Sequence, residues 1–407
     1  MAASSKWRSR ATVKDVRRAN RSALLRPLLL AGPLNRVALS ELTGLSSGSV
    51  TNVVADLLAE GLIVEAGTEE SDGGRPRTLL APNPGLVALG VDVGETGIKF
   101  GAFDLACNEI WRADVDVHPQ GVDMASVVTA ISATAAELVR SPAFAGREVL
   151  GIGVGVPGVV EPGPDALIHA PAIGWDGVRL RQPLQDALGV TVLIDNGAKA
   201  LGQAEMLFGA GVDCDDAIVA LLGTGVGAAI FTDGVLYRGI ASGAGEWGHA
   251  CVMVGGRECR CGARGCLESY VGAEPLVRQW EQRRPGLSVP PDFDQEKWID
   301  QLLDAVSTDQ VAAEIVSEAA VCLGVAVGNL VNIFNPEKII LGGWLGLRLG
   351  ERMYDQIRDG LLQQALAYPA VGVELCLGSL GADAVAQGAA TLVFARLIET
   401  GGEKILG

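Results

Sequence analysis

The segments Gly245-Glu246-Trp247-Gly248-His249 and Cys259-Arg260-Cys261-Gly262-Ala263-Arg264-Gly265-Cys266-Leu267-Glu268 decide how this chain is read. Within them His249, Cys259, Cys261 and Cys266 make the pattern H-x9-C-x-C-x4-C. Three thiolates and one imidazole suit a tetrahedral structural zinc ion and leave no open position for a reactive water. Gly255, Gly256, Gly262 and Gly265 give the chain the bends a metal-wrapping loop requires. The other cysteines, Cys107, Cys214, Cys251, Cys322 and Cys376, lie in apolar or unpatterned surroundings and read as packing residues. Structural zinc contributes roughly 10–16 kcal/mol in small peptides, so it would hold such a loop firmly. Two carboxylates flank the ligands, Glu246 and Glu268. They read either as surface glutamates or as rigidly held acceptors for sugar hydroxyls in a cleft.

Around this loop, strands, glycine turns and helices recur in two similar halves. Val87–Val93 is an apolar strand that enters the turn Asp92-Val93-Gly94-Glu95-Thr96-Gly97, and Ile98–Phe103 returns from it. Backbone N–H groups in such a turn can face phosphates, although a plain hairpin has the same look. Met124–Arg140 is an amphipathic helix, and Val149–Val156 a buried strand running into Pro157-Gly158. Val192–Ile194 leads into a helix from about Asn196 to Phe208. Ile218–Leu222 runs into a second glycine turn, Gly223-Thr224-Gly225-Val226-Gly227. A long helix over Asp309–Phe334, the strand Ile339–Leu341 before Gly342-Gly343, and a final helix Ala384–Ile398 complete the pattern. It predicts a duplicated α/β body with a cleft between two lobes.

Length and composition set bounds on the rest. At 407 residues the chain exceeds the roughly 250–300 residues of a single core. It is 49% hydrophobic and 20% charged, which excludes a mostly disordered chain, and its 54 glycines have no triplet period. No uninterrupted apolar run reaches the roughly 18–20 residues of a membrane span, and Met1–Asn20 is polar and basic, without a secretory core. The expectation is a cytoplasmic protein with no membrane partner.

The charge is divided. Residues 1–40 carry nine basic side chains against Asp15, a net +8; the whole chain carries −16, so the remainder carries −24. A basic head can approach a polyanion that the acidic body repels. In the head, a helix over Val16–Ala31 stops at Gly32-Pro33, and a second runs from about Ala38 to Thr43. Ser46 is a candidate N-cap for a third, whose Val50, Val53, Val54, Leu57 and Leu58 form one stripe. Its other face offers Ser47, Ser49, Thr51 and Asn52, short uncharged hydrogen-bonding groups suited to a major groove. Two β-type runs, Leu62–Gly67 and Arg77–Leu80, flank a tip ending in Gly73-Gly74-Arg75-Pro76. Arg75 on that wing suits a minor groove or a phosphate. The unit reads as an α+β winged helix-turn-helix for DNA; a dimerisation module is the alternative.

Together the zinc motif, Thr43-Gly44-Leu45-Ser46 and Gly73-Gly74-Arg75-Pro76 resemble the ROK family, whose members are repressors, open reading frames and sugar kinases. The likeness is to its NagC/XylR-type regulators and spans essentially the whole chain. It implies residues 1–85 as the DNA-binding head and 86–407 as a two-lobed actin-like (ribonuclease H-like) body. The lobes would be roughly 86–195 with 384–407, and 196–383. It also implies homodimers or homotetramers, and sugar contacts from Asn196, Glu246, His249 and Glu268.

The departures from the family pattern bear on chemistry. ROK kinases carry an Asn-Asp pair whose Asp is the general base; here Asn196 is followed by Gly197. A positioned base is worth about 10²–10⁴-fold in rate. Asp195 is expected to point away from that spot. The kinases have Gly-Gly-Thr where this chain has Gly94-Glu95-Thr96, and the Glu95 carboxylate is expected to repel phosphates. Ala172 stands where kinases often show a sugar-binding Asn, and Lys199 replaces a small polar residue. The reading is a sequence-specific DNA-binding repressor of carbohydrate-related genes, responsive to a bound sugar, with structural zinc and no kinase activity. The alternatives are an ATP-dependent ROK sugar kinase with an accessory head, and a regulator whose input is a protein partner.

Overall fold

The computed structural model describes residues 12–70, 76–117 and 123–403. Helix α1 (Val13–Ala31) begins at a capping box: Thr12 accepts from the Asp15 N–H, and Asp15 reaches back to Thr12. Strand β1 (Leu34–Asn35) leads into α2 (Arg36–Thr43). This helix starts two residues ahead of Ala38, because the Asn35 side chain accepts from the N–H groups of Val37 and Ala38. Ser46 caps α3 (Ser47–Ala59), which buries Val50, Val53, Val54 and Leu57. Strands β2 (Ile63–Glu69) and β3 (Arg77–Pro82) form a hairpin, and β1 joins β3 from the other side. The tip, with Gly73, Gly74 and Arg75, lies outside the described residues.

The body repeats one topology twice. In the first lobe β4 (Leu86–Val93), β5 (Ile98–Asp104) and β6 (Glu109–Val115) form an antiparallel meander. Helix α4 (Met124–Arg140) crosses to β7 (Glu148–Val156), which pairs parallel with β4. A small sheet of β8 (Val159–Val160), β9 (Ile168–Ala170) and β10 (Trp175–Val178) follows, then α5 (Arg181–Leu188). Strand β11 (Val192–Asn196) closes the order β11-β7-β4-β5-β6, and α6 (Gly197–Phe208) leaves the lobe.

The second lobe has the meander β12 (Ala217–Leu222), β13 (Val226–Thr232) and β14 (Val235–Leu236). Then come α7 (Glu268–Val271), α8 (Ala273–Arg283), α9 (Gln295–Ala305) and α10 (Gln310–Phe334). Strand β15 (Lys338–Gly342), helices α11 (Trp344–Gln364) and α12 (Ala367–Ala370), and strand β16 (Glu374–Leu377) give the order β14-β13-β12-β15-β16. The equivalence of the two orders establishes an actin-like α/β body. The last helix among the described residues is α13 (Ala384–Glu399).

The two helices that follow the fifth strands change sides. Helix α6 packs on β12 and β13 of the second lobe, α13 packs on β4 and β7 of the first, and the pair cross each other. Glycine lets α13 lie close on the first sheet. A β carbon on Gly90 would lie 1.8 Å from the Ala386 carbonyl oxygen, and one on Gly153 would lie 1.7 Å from that of Ala389. The head does not hang free of this assembly. Leu24, Leu28, Val50 and Val54 share one apolar cluster with Leu86, Ala88, Phe103, Phe394 and Leu397.

Helix α10 is long and apolar enough by composition to cross a membrane, although Glu314, Glu318 and Asn329 interrupt its apolar run. It buries Ile315, Leu323, Val327 and Val331 in the core of the second lobe and packs along α11.

Candidate functional site

The metal-type cluster is built on a knuckle between two anchors. Upstream, buried Trp247 fixes the turn that presents His249. Downstream, Cys266 and Leu267 run buried into α7. Between them the Cys259 N–H donates to the Ala263 carbonyl and the Gly262 N–H to that of Cys259, with an ion pair between Arg264 and Glu258 at 2.6 Å. Gly265 has φ +80°, and a β carbon there would lie 1.8 Å from the Met253 carbonyl oxygen, so the turn requires glycine. The ligand atoms of His249, Cys259, Cys261 and Cys266 all lie within 4.8 Å of one another. The Cys261 and Cys266 sulfurs are 3.8 Å apart, and the Cys259 sulfur lies 3.7 Å from His249 Nδ1. Burial pushes the Cys259 and Cys266 thiols up, whereas a backbone hydrogen bond at Ala263 lowers that of Cys261. This donor set can hold a metal ion.

Cys251 corrects the packing assignment. Its residue is exposed and forms an isolated antiparallel bridge with Cys266, beside the knuckle rather than in the core. Cys107, Cys214 and Cys322 are buried, and Cys376 is half-buried.

Of the candidate sugar residues, Glu246, His249 and Glu268 lie near enough to act on one another, and Asn196 stands at the joint of β11 and α6. Asn196 ends β11 and caps α6, accepting from the N–H groups of Ala198 and Lys199 while its amide donates to the Gly158 carbonyl at 2.7 Å. Glu246 is half-buried. Burial raises its carboxyl pKa, His249 and Lys199 oppose the shift, and Glu268 adds to it, so these charges act on one another. Glu268 is 4% exposed; its Oε2 accepts from the Val226 N–H at 2.9 Å and its Oε1 from Arg260 at 2.8 Å.

Three features of this region were not legible beforehand. Asp195 is buried and grips Arg238 through two bonds, at 3.0 and 2.5 Å, so its carboxylate is committed. Lys199 is 1% exposed and donates to the Ser242 carbonyl; burial lowers its pKa. Glu95, expected to act as a bare repulsive carboxylate, instead meets Arg260 Nη1 at 2.6 Å. Its charge is compensated, so repulsion alone is not its effect. Burial of Lys199 and pairing of Arg238 are set by residues more than forty positions away, which no local pattern signals.

In the head, Ser47, Thr51 and Asn52 are exposed on α3. Ser49 is half-buried: its N–H donates to the Ser46 hydroxyl, and the two hydroxyls meet at 2.9 Å, so it belongs to the cap. The Thr51 hydroxyl turns back to the Ser47 carbonyl at 2.8 Å. Arg75 lies outside the described residues.

Residues 88–396 match the model of the ROK family. The chain belongs to the ROK family. Within it, this ROK protein is 28% identical over 395 residues to the xylose repressor of Caldicellulosiruptor bescii, covering 93% of this chain and 96% of that one. A solved ROK family transcriptional regulator, described as a homologue of the Escherichia coli MLC protein, superposes with a TM-score of 0.78 at 24% identity, covering 95% of this chain and 98% of that one. A ROK family glucokinase from Streptomyces griseus, solved with glucose and AMPPNP, gives 0.63 at 30% identity, covering 75% of this chain and 98% of that one. Regulators and kinases thus share the body, and the regulator match extends over the head.

Proposed function

We propose that this ROK protein is a DNA-binding transcriptional repressor of carbohydrate-related genes that senses a sugar or sugar derivative between its lobes and does not phosphorylate it. The observation that carries the reading is the likeness of 93% of the chain to a xylose repressor, which takes in most of the first 85 residues. Those residues are the winged helix-turn-helix, and 86–407 the effector body. Helix α3 enters the major groove with Ser47, Thr51 and Asn52, Ser49 holds its first turn, and Arg75 on the wing contacts the backbone or minor groove. Asn196, Glu246, His249 and Glu268 bind sugar hydroxyls. Absence of phosphotransfer is supported by Gly197, which has no proton acceptor, and by Asp195, which is tied to Arg238.

His249, Cys259, Cys261 and Cys266 hold structural zinc. Tetrahedral zinc with Zn–S bonds of about 2.3 Å sets sulfurs about 3.8 Å apart, and the Cys261–Cys266 separation is 3.8 Å. Held there, zinc would fix the knuckle and with it the His249 ring. The protein works in the cytoplasm as a homodimer or homotetramer, so that paired heads reach half-sites about one helical turn apart or a multiple of it.

Deleting the head is a poor test, because it strips apolar cover from Leu86, Ala88 and Phe394. The informative variant is Asn52→Glu on the exposed face of α3. Genomic fragments selected on the wild-type protein should bind with a steep salt dependence. They should lose about 10²-fold or more in affinity with the variant while its melting temperature is unchanged. A variant that binds as well as wild type contradicts the placement of α3. Turnover of ATP with any hexose in a coupled assay contradicts the absence of catalysis.

A further inference from the structure

We infer that Arg260 is a positioning residue that clasps the two lobes across the cleft, joining the candidate sugar acceptor Glu268 to the glycine turn of the opposite lobe. The residue stands between Cys259 and Cys261, so its backbone is held by the knuckle. Its side chain leaves the metal-type cluster. Nε donates to Glu268 Oε1 at 2.8 Å within the second lobe, and Nη1 donates to Glu95 Oε2 at 2.6 Å. Glu95 belongs to the β4–β5 turn of the first lobe, 165 residues away in sequence. The planar fork of a guanidinium suits two carboxylates from different directions; an ammonium would act as one point charge.

The clasp lies on the floor where the two glycine turns face each other. A β carbon on Gly225 would lie 3.2 Å from Arg260 Nη2, 3.4 Å from Glu268 Oε2 and 3.8 Å from Glu95 Oε1. The turn of the second lobe therefore packs against all three charged groups. Glu268 and Glu95 are well shielded, with side chains 5% and 13% exposed, which strengthens their hold on the arginine relative to a surface pair. A second pair, Lys99–Glu296 at 3.2 Å, also joins β5 of the first lobe to α9 of the second, so loss of the clasp loosens the turns without separating the lobes.

The consequence for sensing rests on the regulator reading above. A ligand hydroxyl that donates to Glu268 Oε1 shares that oxygen with Arg260 and weakens its hold, and so slackens the link to Glu95. Occupancy of the cleft is thereby converted into loosening of the two glycine turns.

Hydrogen exchange on the full-length, metal-loaded protein, free of sugar and DNA, tests the clasp. Arg260→Gln should speed exchange about tenfold or more in peptides covering residues 94–98 of the first lobe and 223–227 of the second. Arg260→Lys should fall between. Glu95→Gln, whose substituted residue lies outside the knuckle, should reproduce the effect on residues 223–227 and loosen 257–261. Metal content and melting temperature are read alongside. Exchange at 94–98 within about twofold of wild type in Arg260→Gln, or an effect of Glu95→Gln confined to its own turn, overturns the clasp. Either result leaves DNA recognition untouched, since no operator enters the measurement, and loss of operator binding in the α3 variant would leave the clasp standing.

Discussion

Arg21 and Glu60 form a two-pronged ion pair, at 2.8 and 2.5 Å, between α1 and the C-terminal cap of α3. The Arg21 Nε also donates to the Gly401 carbonyl, just past the end of α13. One buried guanidinium thus ties the helix that carries Ser47, Thr51 and Asn52 to the last helix of the body. Arg17 adds a bond to Asp56 of α3 at 2.8 Å.

Arg21→Ala should therefore destabilise the protein by roughly 1–3 kcal/mol, the usual cost of unpairing such groups. The half-exposed Glu60 keeps the loss below that of a fully buried pair. Arg21→Lys should recover less than half, because a lysine cannot serve two carboxylate oxygens and a carbonyl in the same plane. Urea unfolding of the three proteins checks both.

The knuckle gives a prediction about metal. Purified protein should carry one zinc per chain, and Cys261→Ser should lose it. Because the loop closes around its ligands, the variant should melt lower than wild type, as should wild type treated with a chelator. Elemental analysis and thermal melting read the two effects. A metal-free chain of unchanged stability would refute the structural role.

Two glycines should respond in opposite ways. Gly153→Ala drives a methyl into the Ala389 carbonyl and should cost about 3 kcal/mol as α13 is forced off the sheet. Gly197→Ala meets only ordinary contacts, 3.4 Å to Val385 and 4.0 Å to Leu221. At the first residue of α6 it should be neutral or stabilising by up to about 1 kcal/mol. Equilibrium unfolding of both variants distinguishes close approach from helix propensity.

Asp92 gives a pH dependence. Burial pushes its carboxyl from 3.8 up to about 6, with Lys99 opposing the shift and Asp383 reinforcing it. The folded state holds this proton more tightly than the unfolded chain. The residue's favourable contribution is therefore complete below the unfolded pKa and is lost as pH climbs through the folded one. The stability of Asp92→Asn relative to wild type should rise between about pH 4 and pH 6 and then level off. Paired urea titrations across that range measure it.

Much of the framework was readable along the chain. Helix α4 matches Met124–Arg140 because its apolar spacing is regular and Asp123 caps it, and α3 follows the Ser46 cap and its valine stripe. Strand β6 was missed because Glu109–Val115 is half-exposed and mixes Glu109, Arg112 and Asp114 with Ile110 and Trp111. The small β8–β10 sheet has strands of two to four residues, too short for any period. At the site, the metal-type ligands were legible because they are near neighbours in sequence. The Glu95 partner of Arg260 and the partners of Lys199 and Asp195 were not: each lies more than forty residues away, and charge alone does not say which group it meets.

The exchange of α6 and α13 between the lobes has a bearing on how the chain becomes a protein. Each sheet is roofed by a helix encoded with the other half, so neither half is complete until both have been synthesised. A polypeptide severed in the Gly209–Asp216 connection should yield fragments that are insoluble apart and reassemble when produced together. On the ribosome, the first sheet has to wait for the last sixteen-residue helix to emerge before its apolar face is sealed.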